Sequence, residues 1–296
     1  MLAVGGGVFV VRQIVQGWSA SSEVIADARW GWLGVALALA SVGMASVGLL
    51  WRQAIAALGG TATRRQVFVW YQVGQLGKYL PGGVWPVVGR SEMASRGGVR
   101  RSVAYNSVAL SMGSTYLCAA LVCAVALPVI VVTTGGARSA GDLWVVALVA
   151  VGLSALHPAL LGRLFALAER VLGQGEPQLV PRWPTSVGLV LRHTLPWLCI
   201  GASTWFVTYT FDPHAPLLRV GFAAVLSWVT GFLVIFVPGG LGVREAAFTA
   251  ATAGALPPET AATAAVVSRL VFMTADALGA LVAVPLARRQ DRGQPF

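Results

Sequence analysis

The chain reads as an all-α polytopic membrane protein of two inverted repeats, each with a re-entrant or broken helix at a Pro-Gly-Gly motif. Composition is the first observation behind this. Hydrophobic residues make up 56% of the 296 residues and charged ones 11%, with a mean hydropathy of +0.74. Soluble domains carry about 25% charged residues. The second observation is repetition: Tyr79-Leu80-Pro81-Gly82-Gly83 recurs as Phe236-Val237-Pro238-Gly239-Gly240, 157 positions on. The offset holds without a gap from Gly74/Gly231 and Leu76/Leu233, through Gly97/Gly254, Ala104/Ala261 and Ser111/Ser268, to Pro128/Pro285. The third is charge within or against apolar segments, at Lys78, Arg90, Glu92, Arg192, Arg244, Glu245, Arg269 and Asp276. Two related halves, each with a helix broken in the apolar layer, form the sequence signature of a transporter.

Taken in order, Met1–Trp18 reads as a first, short membrane helix. Ser19-Ala20-Ser21 resembles a signal cleavage site, but no basic n-region precedes it and Arg12 interrupts the apolar run. Crossing about 30 Å of hydrocarbon takes about 20 helical residues. The expected crossings are Trp30–Ala56, Ser102–Val132, the short Asp142–Leu156, Thr185–Thr210 and Glu259–Ala287. Gln66–Leu80 and Val220–Val237 end in Pro-Gly-Gly and are followed by the helical runs Val84–Arg96 and Leu241–Gly254. Neither half of either pair crosses comfortably alone. Each pair reads as a re-entrant hairpin or a discontinuous helix, tolerable only where buried in protein or lining a wet cavity. The plainer alternative is a loop between two short helices. His157–Leu172 carries Arg163, Glu169 and Arg170 after a His-Pro break and reads as an interfacial helix. The whole is one membrane domain over 1–296, with repeat one about 30–132, connecting helices 142–172 and repeat two about 185–287.

Net charge is +10, which in a soluble protein would suggest nucleic acid as a partner. Here insertion topology and anionic headgroups account for it first. If the hairpins return to the side they entered from, twelve arginines collect on one face, from Arg52, Arg64 and Arg65 to Arg288, Arg289 and Arg292. Only Arg29, Arg138 and Arg219 lie on the other. That asymmetry places both termini in the cytoplasm and gives the repeats opposite orientation. Cys118, Cys123 and Cys199 are odd in number, lack CxxC spacing and sit in apolar segments, so they read as small core residues.

A charge at the bilayer centre costs about 2.5–3.5 kcal/mol, so these residues should face a polar interior and pair there. Under the offset, Arg244 aligns with Val87, three before Arg90, and Glu245 with Val88, four before Glu92. Both post-break helices therefore carry an arginine on one common face and a glutamate on another. Helices restarting after Gly83 and Gly240 have free N–H groups with partial positive charge, and glycine lets a ligand approach that backbone. Two such N-termini, each followed by an arginine, suit a phosphate. Lys78 lies three residues before the first break, too deep to snorkel, and Trp85 follows closely enough to line a cavity. Arg269 and Asp276 are seven apart on one helix face. They are either cavity residues or a structural polar seam. His193 reads as interfacial.

Gly77-Lys78-Tyr79-Leu80-Pro81-Gly82-Gly83-Val84-Trp85 with Gly89-Arg90 closely resembles the first signature of the lysylphosphatidylglycerol synthase transmembrane-region family. Pro238-Gly239-Gly240-Leu241-Gly242-Val243-Arg244-Glu245 looks like its second. The family includes the flippase part of the multiple peptide resistance factor and stand-alone relatives, and some members are fused to glycosyltransferases acting on polyprenyl phosphates. The resemblance implies movement of lipids with charged headgroups between leaflets, with Arg90, Arg244 and Glu245 as functional residues. The 296 residues hold no soluble aminoacyl-transferase domain. The expected cargo is therefore a polyprenyl-monophosphate sugar or another phosphate-headed lipid.

The expected function is a lipid flippase of the inner, cytoplasmic membrane and not an enzyme. The expected substrate-binding residues are Lys78, Tyr79, Gly82, Gly83, Trp85, Arg90, Glu92, Gly239, Gly240, Arg244, Glu245, Arg269 and Asp276. No HExxH, DxD, paired-histidine or ATP-binding motif is present, so no metal or other cofactor is expected. Expected partners are a phosphate-headed membrane lipid and a glycosyltransferase or lipid synthase, with no nucleic acid. The rival reading is a membrane-embedded partner or enzyme of lipid-phosphate glycosylation.

Overall fold

The computed structural model describes residues 28–79, 84–133, 157–160, 162–163, 180–234, 240 and 242–291. Within them nine helices run in order: α1 Gly31–Ala57, α2 Arg64–Gln75, α3 Trp85–Arg96, α4 Arg101–Thr133, α5 Trp183–Arg192, α6 Thr194–Phe211, α7 Leu217–Leu233, α8 Val243–Thr252 and α9 Pro258–Asp291. A 3-10 turn, Leu76–Tyr79, extends α2. No strand occurs among the described residues, so the fold is all-α as predicted. Among the described residues, three helices are long and apolar enough to cross a membrane, over Gly31–Ala57, Arg101–Ile130 and Pro258–Ala287. The helices before the two breaks have 12 and 17 residues. At 1.5 Å per residue they reach roughly 18 and 26 Å, short of the hydrocarbon thickness.

The 157-residue offset is visible in the elements themselves. α4 begins at Arg101 and α9 at Pro258, and each bears one internal proline, Pro128 and Pro285, at the same register. α2 and α3 correspond to α7 and α8, and α1 to α6. Packing is reciprocal: α2 lies on α9 while α7 lies on α4, and α1 packs against its own counterpart α6. Reciprocity of that kind is the mark of a two-fold relation, as in an isologous interface.

Lipid tails are as apolar as leucine, so membrane helices associate through close packing of small residues and occasional hydrogen bonds. The α1–α6 seam is built this way. Ala36 and Ala40 are fully buried, and a Cβ on Gly43 would sit 3.2 Å from Cys199 Cβ. Ser203 Oγ donates across the seam to the Ala36 carbonyl at 2.8 Å. The three cysteines are free and buried, as expected of core residues.

One predicted crossing needs correction. Thr185–Thr210 is two helices, α5 and α6, meeting at His193. Pro196, in the first turn of α6, has no N–H to continue the ladder, and its ring would collide with the Arg192 carbonyl of an unbroken helix. His193, at this junction, is 1% exposed, with Nδ1 2.7 Å from the Leu189 carbonyl oxygen. The helix predicted over Met1–Trp18, the crossing Asp142–Leu156, most of His157–Leu172, and Pro81, Gly82, Gly83, Pro238 and Gly239 lie outside the described residues.

Candidate functional site

Both breaks turn the chain back on itself. A Cβ at Gly77 would meet the backbone of Trp85 and Pro86, one at Gly74 the stem of Arg90, and one at Gly97 the ring of Trp70. Successive contacts run outward from the turn, so α3 returns antiparallel along α2. In the second unit a Cβ at Gly231 would meet Gly240 and Arg244, and Arg219 Nε donates to the Ala251 carbonyl at 2.6 Å. α8 likewise returns along α7. Each pair is therefore an antiparallel pair of helices and not a straight discontinuous helix, a geometry common to the re-entrant hairpin and to a loop between two short helices. Gly240 and Gly242 take positive φ, 66° and 78°, which glycine adopts without the Cβ penalty.

Each hairpin holds one arginine against an aromatic ring and a glycine of its own first helix. In the first, the Arg90 guanidinium carbon lies 4.9 Å from the Tyr71 ring centre. A Cβ at Gly74 would fall 2.4 Å from Arg90 Cγ. Nε donates to the Pro86 carbonyl at 2.9 Å and Nη2 to Gln75 Oε1 at 3.3 Å. In the second, the Arg244 guanidinium carbon sits 3.7 Å from the Trp228 ring centre. A Cβ at Gly231 would fall 2.3 Å from Arg244 Cγ. Tyr71 and Trp228 are themselves 157 apart, as are Gly74 and Gly231. Sites of the same design therefore occur twice. Arg90 is the sixth residue of α3 and Arg244 the second of α8, a difference of four residues or about one helical turn, so the two side chains leave their helices on nearly the same face.

Stacking covers the face of a guanidinium and leaves its N–H fork free in the plane. A desolvated stack of this kind contributes about 2 kcal/mol. Neither arginine has a carboxylate partner among the described residues, and Arg244 makes no hydrogen bond there. Arg90 is 8% exposed. A buried cation without a counter-ion is costly, and a bound anion removes the cost.

Two neighbouring cavities open onto these side chains. One, of about 70 Å³, is lined by Tyr71, Gln75, Arg90, Ser111, Tyr116 and Trp228 among others. The second, of about 20 Å³, is lined by Thr204, Ser227, Trp228, Arg244, Glu245, Ser268 and Arg269 among others. Trp228 borders both. An indole therefore lies on their common boundary. Ser111 and Ser268, matched by the offset, fall in corresponding positions.

Carboxylates occupy the second unit. Arg269 Nη1 donates to Glu245 Oε1 at 2.6 Å, joining α9 to α8. Asp276 Oδ2 receives Lys78 Nζ at 2.5 Å and the Tyr79 hydroxyl at 2.7 Å, tying the first break to α9. These pairs have no equivalent in the first unit, where Met112 and Ala119 stand at the positions of Arg269 and Asp276. Lys78 Nζ also lies 5.7 Å from the Trp228 ring centre.

Of the predicted residues, Lys78, Tyr79, Arg90, Gly240, Arg244, Glu245, Arg269 and Asp276 come together around these chambers. Two do not. Glu92 accepts from Tyr105 at 2.7 Å and from Arg101 at 2.9 Å, on the solvent-facing start of α4. Trp85 is 49% exposed and lines neither chamber. Pro86 in the first turn of α3 removes one donor from the helix end expected to hold an anion. Gly82, Gly83 and Gly239 lie outside the described residues. Tyr71 and Trp228 were missed, although each stands three residues before a glycine that the offset had already paired.

No curated protein matches the chain. The family model for the lysylphosphatidylglycerol synthase TM region, a membrane domain often linked to lipid flipping, matches residues 2–275. That span takes in both hairpins, both arginines and the α8–α9 ion pair. The twice-built arginine site therefore sits inside a known kind of membrane domain, and the chain belongs to the lysylphosphatidylglycerol synthase transmembrane-region family.

Proposed function

We propose that the protein is a lipid flippase that carries a lipid with an anionic phosphate headgroup between the leaflets of the cytoplasmic membrane. A polyprenyl-monophosphate sugar or a charged phospholipid is the cargo. The observation that carries this reading is the pair of arginines, Arg90 and Arg244, held by aromatic rings and neutral groups in adjoining chambers with no carboxylate partner among the described residues. A purely structural arginine in an apolar layer is paired by its own protein, whereas a carrier leaves its cation to be paired by cargo. Bidentate guanidinium geometry matches phosphate oxygens.

In this reading the headgroup enters one chamber, passes the Trp228 boundary to the other arginine, and leaves on the far side while its tail stays in lipid. Glu245 and Asp276, each already in an ion pair, keep the empty chambers from carrying the full charge of the basic residues around them. The two units are inverted, both termini are cytoplasmic, and alternating access comes from rocking one unit on the other. The lipid gradient or an ion gradient drives net movement. The protein acts as a carrier and not as an enzyme, beside a glycosyltransferase or lipid synthase that makes its cargo.

Reconstitution in liposomes with a labelled phosphate-headed lipid tests this. The expected result is transfer to the outer leaflet that Arg90→Ala or Arg244→Ala reduces by at least about tenfold, the equivalent of one lost charge-assisted hydrogen bond. Chemical conversion of the lipid without transfer would replace the reading with an enzyme. Absence of transfer for any anionic lipid, with a synthase co-purifying, would replace it with an assembly partner.

A further inference from the structure

An ion pair at this site ties the two units to each other. Glu92–Arg101 lies within the first unit and Glu245–Arg269 within the second, whereas Lys78, in the turn after α2, reaches Asp276 on α9. The counterpart positions hold Ile235 and Ala119, so the pair is built once and not twice. The Asp276 side chain is fully covered, while that of Lys78 keeps 20% of its surface exposed. Asp276 Oδ2 accepts from Lys78 Nζ and from the Tyr79 hydroxyl, and Oδ1 is buried with no hydrogen-bond partner. Lys78 offsets the carboxylate charge on the Oδ2 side, and Oδ1 is the atom left to take a proton.

The closed chambers, of about 70 and 20 Å³, have room for a few waters and for one water. A headgroup enters only when their walls part. The larger chamber is walled by both units, with Met44 and Tyr71 from the first and Trp197 and Trp228 from the second. Parting the units draws the first hairpin from α9 and Lys78 from Asp276. Separation strands two charges, and a proton on the carboxylate removes one of them. The ammonium keeps aromatic faces beside it, 5.3 Å from the Tyr79 ring centre and 5.7 Å from that of Trp228. The other charged or titratable groups facing the pair are Tyr71 from α2, Arg90 from α3, Arg244 from α8 and Arg269 from α9 itself. Glu245 is taken by Arg269, and Arg65 of α2 binds the Leu286 carbonyl near the far end of α9. α1 contributes only Arg52, exposed and bonded to the Ala62 carbonyl, and α6 has no acidic or basic residue.

Building on the lipid-carrier reading, we infer that Asp276 is the proton site of the carrier. It takes one proton on Oδ1 as an entering anionic headgroup draws the units apart, and releases it when the headgroup leaves and the Lys78 pair re-forms. The proton comes from water on the loading side and returns to water on the other. Lys78 keeps its own proton throughout, and the lipid is chemically unchanged. One proton offsets one negative charge, so loaded and empty carriers have the same net charge. The membrane potential then does not oppose the loaded crossing. The freed Lys78 ammonium, beside Trp228, joins the two arginines around the anion.

The full chain in phosphatidylcholine liposomes, under an imposed pH step with the voltage held at zero by potassium and valinomycin, tests this. The probes are trace acyl-labelled phosphatidylglycerol and a labelled prenyl phosphosugar, each with one negative charge. The label is expected to accumulate in the leaflet facing the alkaline side, about tenfold per pH unit for one proton per anion. A protonophore should even it out. Asp276→Asn is expected to bring the accumulation ratio to one. Tyr79→Phe, which takes a donor from the ionised carboxylate, should move the pH midpoint of transfer upward by up to about one unit. Infrared difference spectra of the wild type in nanodiscs read the carboxyl directly, even where Asp276→Asn fails to fold. A protonated-carboxyl band should grow when lipid is added and should shift in Tyr79→Phe. Even distribution of label across the pH step, with transfer still slowed by Arg90→Ala, overturns the proton site and leaves the carrier standing. Accumulation that survives Asp276→Asn, or no protonated-carboxyl band on loading, overturns the assignment to Asp276. No transfer of either lipid, with no effect of Arg90→Ala or Arg244→Ala, overturns the carrier as well.

Discussion

A methyl group added at Gly74 or Gly231 would reach the candidate site without touching any charge. The new Cβ would lie 2.4 Å from Arg90 Cγ or 2.3 Å from Arg244 Cγ, where carbon pairs settle at about 3.5–4.0 Å. The atom in the way is the root of the arginine stem and not its flexible tip, so the whole guanidinium must leave its ring. Overpacking of this kind costs about 1–3 kcal/mol, a loss that the fold can survive. Gly231→Ala and Gly74→Ala are therefore expected to depress lipid transfer as Arg244→Ala and Arg90→Ala do, with a small fall in Tm. Gly113→Ala, on a face of α4 with nothing within 4 Å, is expected to leave both unchanged. Transfer at the wild-type rate by a well-folded Gly231→Ala would show that the stacked position of Arg244 is not the one that works. The pairing of these two glycines was legible in the sequence, but its reason was not. A repeat offset reveals that a position is matched, and only packing reveals that an arginine stem lies on it.

At the scale of helices, the Lys78–Asp276–Tyr79 bridge decides how the first hairpin is held. It joins the 3-10 turn after α2 to the middle of α9, and Asp276 is 1% exposed. Removing one partner of a buried pair strands the other charge, at a cost of about 3–5 kcal/mol, whereas replacing both by apolar groups is often neutral. Asp276→Ala and Lys78→Ala should each lower Tm in detergent by several degrees. The double replacement Lys78→Met with Asp276→Leu should recover most of the loss, and a double-mutant cycle on Tm measures the coupling. Additive losses would mean that the two groups stabilise the protein independently. The sequence placed Arg269 and Asp276 on one face of a helix, since seven residues is two turns. It left their roles open, because the partners come from α8 and from the turn after α2, elements far away in the chain. Pro196 favours a break between α5 and α6, but Pro128 and Pro285 lie inside unbroken helices, so a proline in the sequence does not by itself locate a break.

Reciprocal packing of the two four-helix units implies a two-fold axis, and in a membrane that axis has two simple settings. Along the bilayer normal it leaves the units parallel, and in the bilayer plane it inverts them. The connections between corresponding helices favour the second. The link from α3 to α4 carries Arg96, Arg100 and Arg101, while the equivalent link, Ala253 to Pro258, carries no charge at all. Were the units parallel, both links would lie on one face and the positive-inside tendency would act on both alike. Inverted units put the arginine-rich link in the cytoplasm and the uncharged one outside. The same reasoning separates the segments entering α2 and α7. Single cysteines at Arg64 and His214, both exposed, in a background without Cys118, Cys123 and Cys199, should react with a membrane-impermeant maleimide from opposite sides. Arg64→Cys is expected to label only in inside-out vesicles and His214→Cys only in intact cells or right-side-out vesicles. Labelling of both from one side would make the units parallel. It would also remove the ground for a headgroup path that presents one arginine chamber to each leaflet, because two parallel hairpins would open their chambers toward the same face.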